Sequence, residues 1–285
     1  HGERRASDML KSILISLDES PYCEAAVTVG IDWAKRFDCL LVGLGVVDEP
    51  AIRGPKLPQH LTPSARANYN KTIAEASHRV DRILEQFTLR CSQQGVSNKL
   101  LEDVGSPCEQ IMTEAQRYDV ILVGQKTFSQ SGATETECDT VDVLLHATPR
   151  PVVVVPNCAP SGSGVLIAFD GSLPAARALQ AFLGSGLAAL GKVDVVTAHK
   201  ESTVEAGKIA DRAVEFLRFH GVEADRHTLT GGARPSNDIL QVAEQVGGEM
   251  IVMCSHGRND MTEFFMGSVT KSVLERSQIP VFLYH

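Results

Sequence analysis

The sequence lacks long apolar runs and an excess of positive charge. No apolar run reaches the roughly 18 residues that a membrane-spanning helix needs. Acidic residues outnumber basic residues by 35 to 27, and the formal net charge at pH 7 is -8. Because binding to nucleic acid or to an anionic membrane surface requires a basic face, the composition argues against both kinds of partner.

The cysteines lack the pattern of a disulfide framework or of a zinc site. Their number, 7, is odd, and no two of them are spaced as Cys-x-x-Cys. Both arrangements depend on paired or closely spaced cysteines. We therefore predict no metal site and reduced thiols in the hydrophobic core, which is typical of proteins in the reducing cytoplasm.

Two common nucleotide-binding motifs are also missing. The absence of GxxxxGK[ST] excludes a P-loop NTPase, and no GxGxxG follows a first strand, as a dinucleotide-binding site would require. No Ser/His/Asp or Cys/His arrangement rises above chance. We therefore predict no catalytic residues.

The chain contains two copies of one pattern. Each copy has an apolar run, then Asp-x-Ser, then an alanine-rich stretch: ILISLDESPYCEAA at residues 13–26 and VLIAFDGSLPAARA at residues 165–178. Asp18 aligns with Asp170, and Ser20 aligns with Ser172. Each copy then closes on a proline-led strand, PVVVVP or PVFLYH. With 285 residues, this repetition predicts two domains.

The predicted domains span residues 9–157 and 164–285, with the turn-forming sequence NCAPSGSG between them. The first copy is longer because of residues 48–71, which contain four prolines and show no sustained periodicity. We predict that this segment is a long loop or lid.

Strand and helix patterns alternate through each copy, which predicts an α/β fold. The run GVLIAF is typical of a strand buried on both faces, and helical spacing follows Ser172, a predicted N-cap. Ser236 is the predicted cap of the third helix of this copy. Repeated βα units predict two doubly wound five-stranded parallel sheets in tandem, Rossmann-like, each with strand order 3-2-1-4-5. The ligand crevice of such a sheet lies between strands 1 and 4.

The segment SHGRNDMTEFFMGS, residues 255–268, has the features of one wall of that crevice. Gly257 permits a tight turn after strand 4, and Gly267 and Ser268 open the next helix. A helix N-terminus presents backbone N–H groups and partial positive charge to an anion. The spacing suggests a phosphate cradle, although similar glycine turns also occur without a ligand.

The pattern SHGR…GSV, the Asp-x-Ser motifs and the two βα copies resemble the universal stress protein family in its tandem form. In nucleotide-binding members the motif is Gly, two residues, Gly, nine residues, then Gly followed by Ser or Thr. The second copy matches at Gly257, Gly267 and Ser268, and Cys254 occupies the first glycine position. The resemblance implies ATP as the ligand of the second domain, with Mg²⁺ accompanying its phosphates.

The resemblance also implies which residues contact ATP. Asp170 would face the adenine, and Ala198 or His199 would back it, while the side chain of Cys254 would narrow the approach to the ribose or phosphates. The full predicted set is Asp170, Gly171, Ser172, Ala198, His199, Cys254, Gly257, Arg258, Gly267, Ser268 and Val269.

The first copy departs further from this motif. Gly124 is kept, but Thr127 replaces the second glycine, and Cys138 and Asp139 replace the final Gly-Ser pair. A carboxylate at the start of a helix repels an anion. We therefore predict no nucleotide in the first domain, whose site is degenerate.

The predicted function is that of a stress-response protein that binds ATP in its second domain, regulatory rather than catalytic and at most a slow ATPase. The alternative is a scaffold, or a binder of another small molecule in the same crevice. An adenylating enzyme on a related fold is a third hypothesis, but the sequence shows no substrate site that supports it. The regulatory client is not indicated.

The closing strands, residues 152–155 and 281–284, should lie at sheet edges, and an open apolar edge invites pairing. Single-domain members that the chain resembles commonly dimerise through this strand. We therefore predict that the two strands meet within one chain, as an intramolecular pseudo-dimer. The sequence is also compatible with a homodimer of the whole chain.

Overall fold

The computed structural model describes residues 10–54, 62–126, 140–158, 162–230, 234–256 and 266–285. Strands and helices alternate in both halves, which are organised alike.

The first half is a five-stranded parallel sheet with helices on both faces. Its strands are β1 (Ser12–Leu17), β2 (Leu40–Val47), β3 (Asn98–Val104), β4 (Val120–Gly124) and β5 (Val152–Val155). Its helices are α1 (Pro21–Phe37), α2 (Glu49–Arg53), α3 (Pro63–Gln93), α4 (Pro107–Ala115) and α5 (Thr140–Ala147). The strand order is β3-β2-β1-β4-β5.

The second half repeats this arrangement. Its strands are β6 (Val165–Ala168), β7 (Val193–His199), β8 (Ala224–Thr230), β9 (Met250–Cys254) and β10 (Val281–Tyr284). Its helices are α6 (Leu173–Gly184), a 3-10 helix (Leu187–Leu190), α7 (Thr203–Phe219), α8 (Pro235–Gln245) and α9 (Ser268–Arg276). The order β8-β7-β6-β9-β10 is again 3-2-1-4-5 in chain order, as the sequence predicts.

The two sheets join into one sheet of ten strands. Strands β5 and β10 pair antiparallel, with Val281 opposite Val154 and Phe282 opposite Val153. This pairing agrees with the prediction from the closing strands. Both strands are buried here, so neither leaves an open apolar edge within the chain.

Aromatic packing supports the junction between the sheets. Phe282 is fully buried, and its ring meets that of Phe182 edge to face, with centroids 6.0 Å apart. Val153 and Val155 of the first half belong to the same buried cluster as these rings. The hydrophobic core is therefore continuous across the junction. Burying a side chain of this size stabilises the fold by about 2–3 kcal/mol.

The segment 48–71, predicted as a loop, is largely helical. Residues 49–53 form α2, and α3 begins at Pro63, with the hydroxyl of Thr62 accepting from the N–H of Ala65 at 3.3 Å. Proline fits the first turn of a helix because that position needs no N–H donor. Two of the four prolines therefore start helices instead of breaking them. Residues 55–61 lie outside the described ranges.

The prediction that Ser236 caps a helix is wrong. The helix α8 begins at Pro235, and Arg234 is its N-cap. The preference of proline for the first helical position decides the boundary. The Ser236 hydroxyl instead accepts from the hydroxyl of Ser272 at 3.0 Å, which links α8 to α9. Ser172, by contrast, does cap α6 by accepting from the N–H of Ala175 at 3.2 Å.

None of the helices in the described ranges combines the length and the apolar character needed to cross a bilayer.

Candidate functional site

The crevice of the second half lies where the strand order reverses. Strand β6 pairs with β7 on one side and with β9 on the other. The loops that leave the carboxyl ends of β6 and β9 therefore face each other, which is the usual ligand position in a doubly wound sheet. Asp170, after β6, and Cys254, at the end of β9, line the same cavity.

A cavity of about 540 Å³ occupies this crevice. Its volume falls within the roughly 300–1,000 Å³ that is typical of small-molecule sites. Seven of the predicted residues line it: Asp170, Ala198, His199, Cys254, Gly267, Ser268 and Val269. The structure thus brings together, around one cavity, residues from the ends of three strands and the start of α9.

Two predicted residues, Gly171 and Ser172, are described but are not among the residues that line the cavity. Gly171 and Ser172 form the turn into α6, where Gly171 has a φ of 76° and the N–H of Ser172 donates to Oδ1 of Asp170 at 2.9 Å. Gly171 can adopt this left-handed conformation because it has no Cβ. Gly257 and Arg258 lie outside the described residues.

Hydrogen bonds fix the strand end that carries Asp170. The N–H of Phe169 donates to the carbonyl of Val196 at 2.9 Å. The carbonyl of Phe169 accepts from the buried hydroxyl of Thr197 at 2.7 Å. These bonds tie the end of β6 to β7, so the position of Asp170 is set by the sheet.

The start of α9 is fixed to the end of β9. Gly267, the N-cap, is buried and donates its N–H to the carbonyl of Ser255 at 2.9 Å. The hydroxyl of Thr270 donates to the carbonyl of Cys254 at 3.0 Å. The first N–H groups of a helix have no acceptor within the helix. Those of α9 therefore lie at the cavity as donors for an anion.

Cys254 is a buried neutral thiol. It is 7% exposed, and its Sγ donates to the carbonyl of His256 at 2.8 Å. Burial, and next the charge of Asp170, raise the pKa of the thiol to about 12. A thiolate is the reactive form of cysteine, so this side chain presents bulk to the cavity and not a nucleophile or a redox sensor at neutral pH.

His199 has a fixed ring. Its Nδ1 accepts from the N–H of Glu201 at 3.3 Å and from the N–H of Ser202 at 3.2 Å. An acceptor nitrogen carries no proton, so the neutral ring carries its proton on Nε2. The ring therefore offers a hydrogen-bond donor and not a base at Nδ1.

The structure adds lining residues that the sequence analysis missed. Among them are Lys200 and Glu201 after β7, Leu229 on β8, and Pro235, Asp238 and Ile239 at the start of α8. The side-by-side packing of α8 and α9 places a second helix start, that of α8, at the cavity. The strand order could have predicted this position, because the loop after β8 leaves the same edge of the sheet as the loops after β6 and β9.

The described lining is more acidic than basic. Asp170, Glu201 and Asp238 are carboxylates, and Lys200 is the lysine among the lining residues that the structure places. The N-terminus of α9, which also lines the cavity, carries a partial positive charge. Within the described ranges, no group of three or more His, Cys, Asp or Glu could hold a metal ion.

In the first half, the described residues after β4 make contacts outside a crevice. Gln125, after β4, donates through Nε2 to the carbonyl of Leu274 in α9 of the second half. The next residue, Lys126, places its ammonium 5.9 Å from the centre of the Tyr22 ring. The motif positions Thr127, Cys138 and Asp139 lie outside the described residues.

The chain matches known proteins in both halves. The family model described as the universal stress protein family matches residues 9–156 and again residues 164–285. The chain is 27% identical over 169 residues to the universal stress protein Slr1230 of Synechocystis, an alignment that covers 59% of this chain and 58% of that protein. It is 33% identical over 79 residues to YxiE of Bacillus subtilis, covering 28% of this chain and 52% of that protein. The chain thus spans just over half the length of these relatives.

Solved structures share the fold over nearly the whole chain. A universal stress protein from Archaeoglobus fulgidus superposes with a TM-score of 0.71 at 21% identity, covering 98% of both chains. A protein of unknown function from Pseudomonas aeruginosa gives a TM-score of 0.58 at 17% identity, covering 99% of this chain and 94% of that one. Because the family model matches twice along the sequence, the chain belongs to the universal stress protein family and carries two of its domains in tandem.

Proposed function

We propose that the second domain binds ATP in the cavity between β6 and β9 and that the protein acts as a regulatory stress protein. One observation carries this proposal. A single cavity of about 540 Å³ brings Asp170, Ala198 and His199 together with Cys254 and the start of α9.

The lining of the cavity suits both parts of the nucleotide. Apolar side chains such as Leu229 and Ile239 line it together with the carboxylate of Asp170, which can accept from an adenine amino group. Gly267 and Ser268 open α9 at the cavity, where backbone N–H groups favour phosphate. Mg²⁺ bound to the phosphates would offset their repulsion by the lining carboxylates.

We infer binding without rapid turnover. Phosphoryl transfer needs a positioned base or water and cations on the transferred group. His199, whose Nδ1 accepts two backbone N–H groups, is not available as a base at that atom. Any ATP hydrolysis is therefore expected to be slow. The cytoplasm is the proposed location, since Cys23, Cys39, Cys91 and Cys254 are buried free thiols.

A matched pair of variants tests the proposal. Asp170 and Asp18 form the same turn, in which Oδ1 accepts from the N–H of Ser172 at 2.9 Å or of Ser20 at 2.8 Å. Asparagine keeps this acceptor, so Asp170→Asn and Asp18→Asn should fold equally well. In calorimetric titration with Mg-ATP, Asp170→Asn is expected to weaken binding about tenfold, because one hydrogen bond to a charged group is lost.

The control, Asp18→Asn, should bind ATP as the wild type does. Equal losses in the two variants, or no loss in either, would contradict the placement of the site in the second domain.

A less anionic small molecule is the second candidate ligand. Two observations favour it: three carboxylates line the cavity, and the Cys254 side chain occupies the first glycine position of the ATP motif. Mass spectrometry of the protein under native conditions separates the two candidates. A bound mass other than that of an adenine nucleotide would favour this second function.

A further inference from the structure

Side chains of the first domain donate to carbonyls at the ends of helices in the second domain. Arg36, in the last turn of α1, donates through Nη2 to the carbonyl of Ala189 at 2.7 Å and also to that of Leu190. Gln125, after β4, donates through Nε2 to the carbonyl of Leu274. The second contact reaches the helix whose other end opens on the cavity.

The bond from Gln125 satisfies a carbonyl that α9 leaves without a helical partner. The last four carbonyls of any helix have no N–H donor within the helix. In α9 the N–H of Ser277 donates to the carbonyl of Val273 at 2.8 Å, and the next carbonyl, that of Leu274, accepts from Gln125. Gln125 is thus a side-chain cap supplied by the other domain.

The internal repeat identifies the residue of the second domain that corresponds to Gln125. Gln125 aligns with Ser255, the residue that follows β9. Ser255 is fully buried, and its hydroxyl bonds to Nδ1 of His256 within its own loop at 2.7 Å. The loop that forms one wall of the cavity in the second domain therefore serves as an interdomain contact in the first.

The helix between the cap and the cavity is short. Nine residues make α9 about 13 Å long, and isolated helices of this length are marginal in water, so external contacts must hold it. Its N-terminal end is held by the bonds from Gly267 and Thr270 to the β9 strand end. Its middle is held by the bond from Ser272 to Ser236.

We propose that Gln125 is a positioning residue through which the first domain holds α9 in the orientation that the cavity of the second domain requires. The predicted effect of Gln125 on ATP affinity rests on the proposed function, whereas its predicted effect on α9 does not. The degenerate first domain would thereby contribute to a site that it does not line.

The test uses the full chain with Gln125→Met, which keeps the length of the side chain but removes the donor. Hydrogen exchange of the amides of residues 271–277 should become about fivefold faster, the size expected for one neutral hydrogen bond. The affinity for Mg-ATP should fall by a similar factor. Gln116→Met, at an exposed position on the same domain, is the matched control and should change neither quantity.

A rescue variant separates positioning from a general loss of stability. Gln125→Lys restores a donor and places a cation at the C-terminal end of α9, where it is favourable. It should return both the exchange rates and the ATP affinity to near the wild-type values. Loss of affinity in Gln125→Lys equal to that in Gln125→Met would overturn the proposal.

The remaining outcomes are also decisive. Wild-type exchange rates in Gln125→Met, or faster exchange with unchanged ATP affinity, would refute the positioning role. If the wild type binds no ATP, the proposed function fails, and the exchange rates alone decide whether Gln125 holds α9.

Discussion

At the scale of single residues, Cys254 is the main departure of the cavity from the nucleotide-binding pattern. Its thiol is buried, donates to the carbonyl of His256, and has a pKa raised to about 12 by burial. It therefore remains uncharged at neutral pH and adds only volume where the motif has glycine. The side chain of Cys254 would therefore affect a bound nucleotide through the space that it occupies and not through charge.

Replacing Cys254 with glycine should tighten ATP binding. The substitution removes Cβ and sulfur from the wall of the cavity, and we expect about a tenfold lower dissociation constant, or ~1.4 kcal/mol, by calorimetry. Cys254→Ala, which removes the sulfur but keeps Cβ, should give an intermediate value. Unchanged or weaker binding in Cys254→Gly would show that this side chain does not limit the site.

The structure brings predicted residues together where a motif lies at a strand end. Asp170, Cys254 and Gly267 line the cavity because the order of the strands brings their loops together whatever the details of packing. Lys200 and Asp238 were missed because their position depends on how the loop after β7 and the start of α8 pack. Hydrophobic periodicity does not carry that information.

At the scale of elements, the N-terminus of α9 is the candidate phosphate site. Its N-cap, Gly267, has no side chain, so nothing of the cap itself fills the space in front of the first N–H groups.

Two helix starts differ from the prediction for the same reason. Pro63 begins α3 within the segment that the sequence predicts as a loop, and Pro235 begins α8, for which the sequence predicts Ser236 as the cap. Proline favours the first turn of a helix because that position needs no N–H donor.

A carboxylate at the N-cap of α9 should abolish ATP binding. Gly267→Asp places a side chain and a negative charge where phosphate would lie, and aspartate also stabilises a helix N-terminus. We expect calorimetry to show a loss of at least about a hundredfold in affinity, or ~2.7 kcal/mol, with thermal stability retained.

The control for this substitution is Gly184→Asp, in the last turn of α6, where a Cβ would meet nothing within 4 Å. It should bind ATP normally. If Gly267→Asp binds as tightly as this control, the phosphates do not lie at α9.

At the scale of the whole molecule, one ten-stranded sheet carries two domains of the same strand order, and the residues after β4 and after β9 make different contacts in the described ranges. The second domain presents a cavity between β6 and β9, whereas in the first domain Gln125 after β4 contacts α9 across the interface. The repeat in the sequence predicted the fold, and the apolar closing strands, with the resemblance to single-domain members that dimerise, predicted the pairing of β5 with β10. It could not predict the contact of Gln125, because that depends on the relative placement of two domains.

This asymmetry makes the number of ATP molecules bound per chain the most direct test of the account. Calorimetric titration of the wild-type chain with Mg-ATP, after removal of any nucleotide that copurifies, gives this number. One ATP per chain is the expected result, and Asp170→Asn should weaken that single event. A stoichiometry of two would show that the first domain also binds ATP, and the absence of any binding heat or retained nucleotide would contradict the assignment of the cavity.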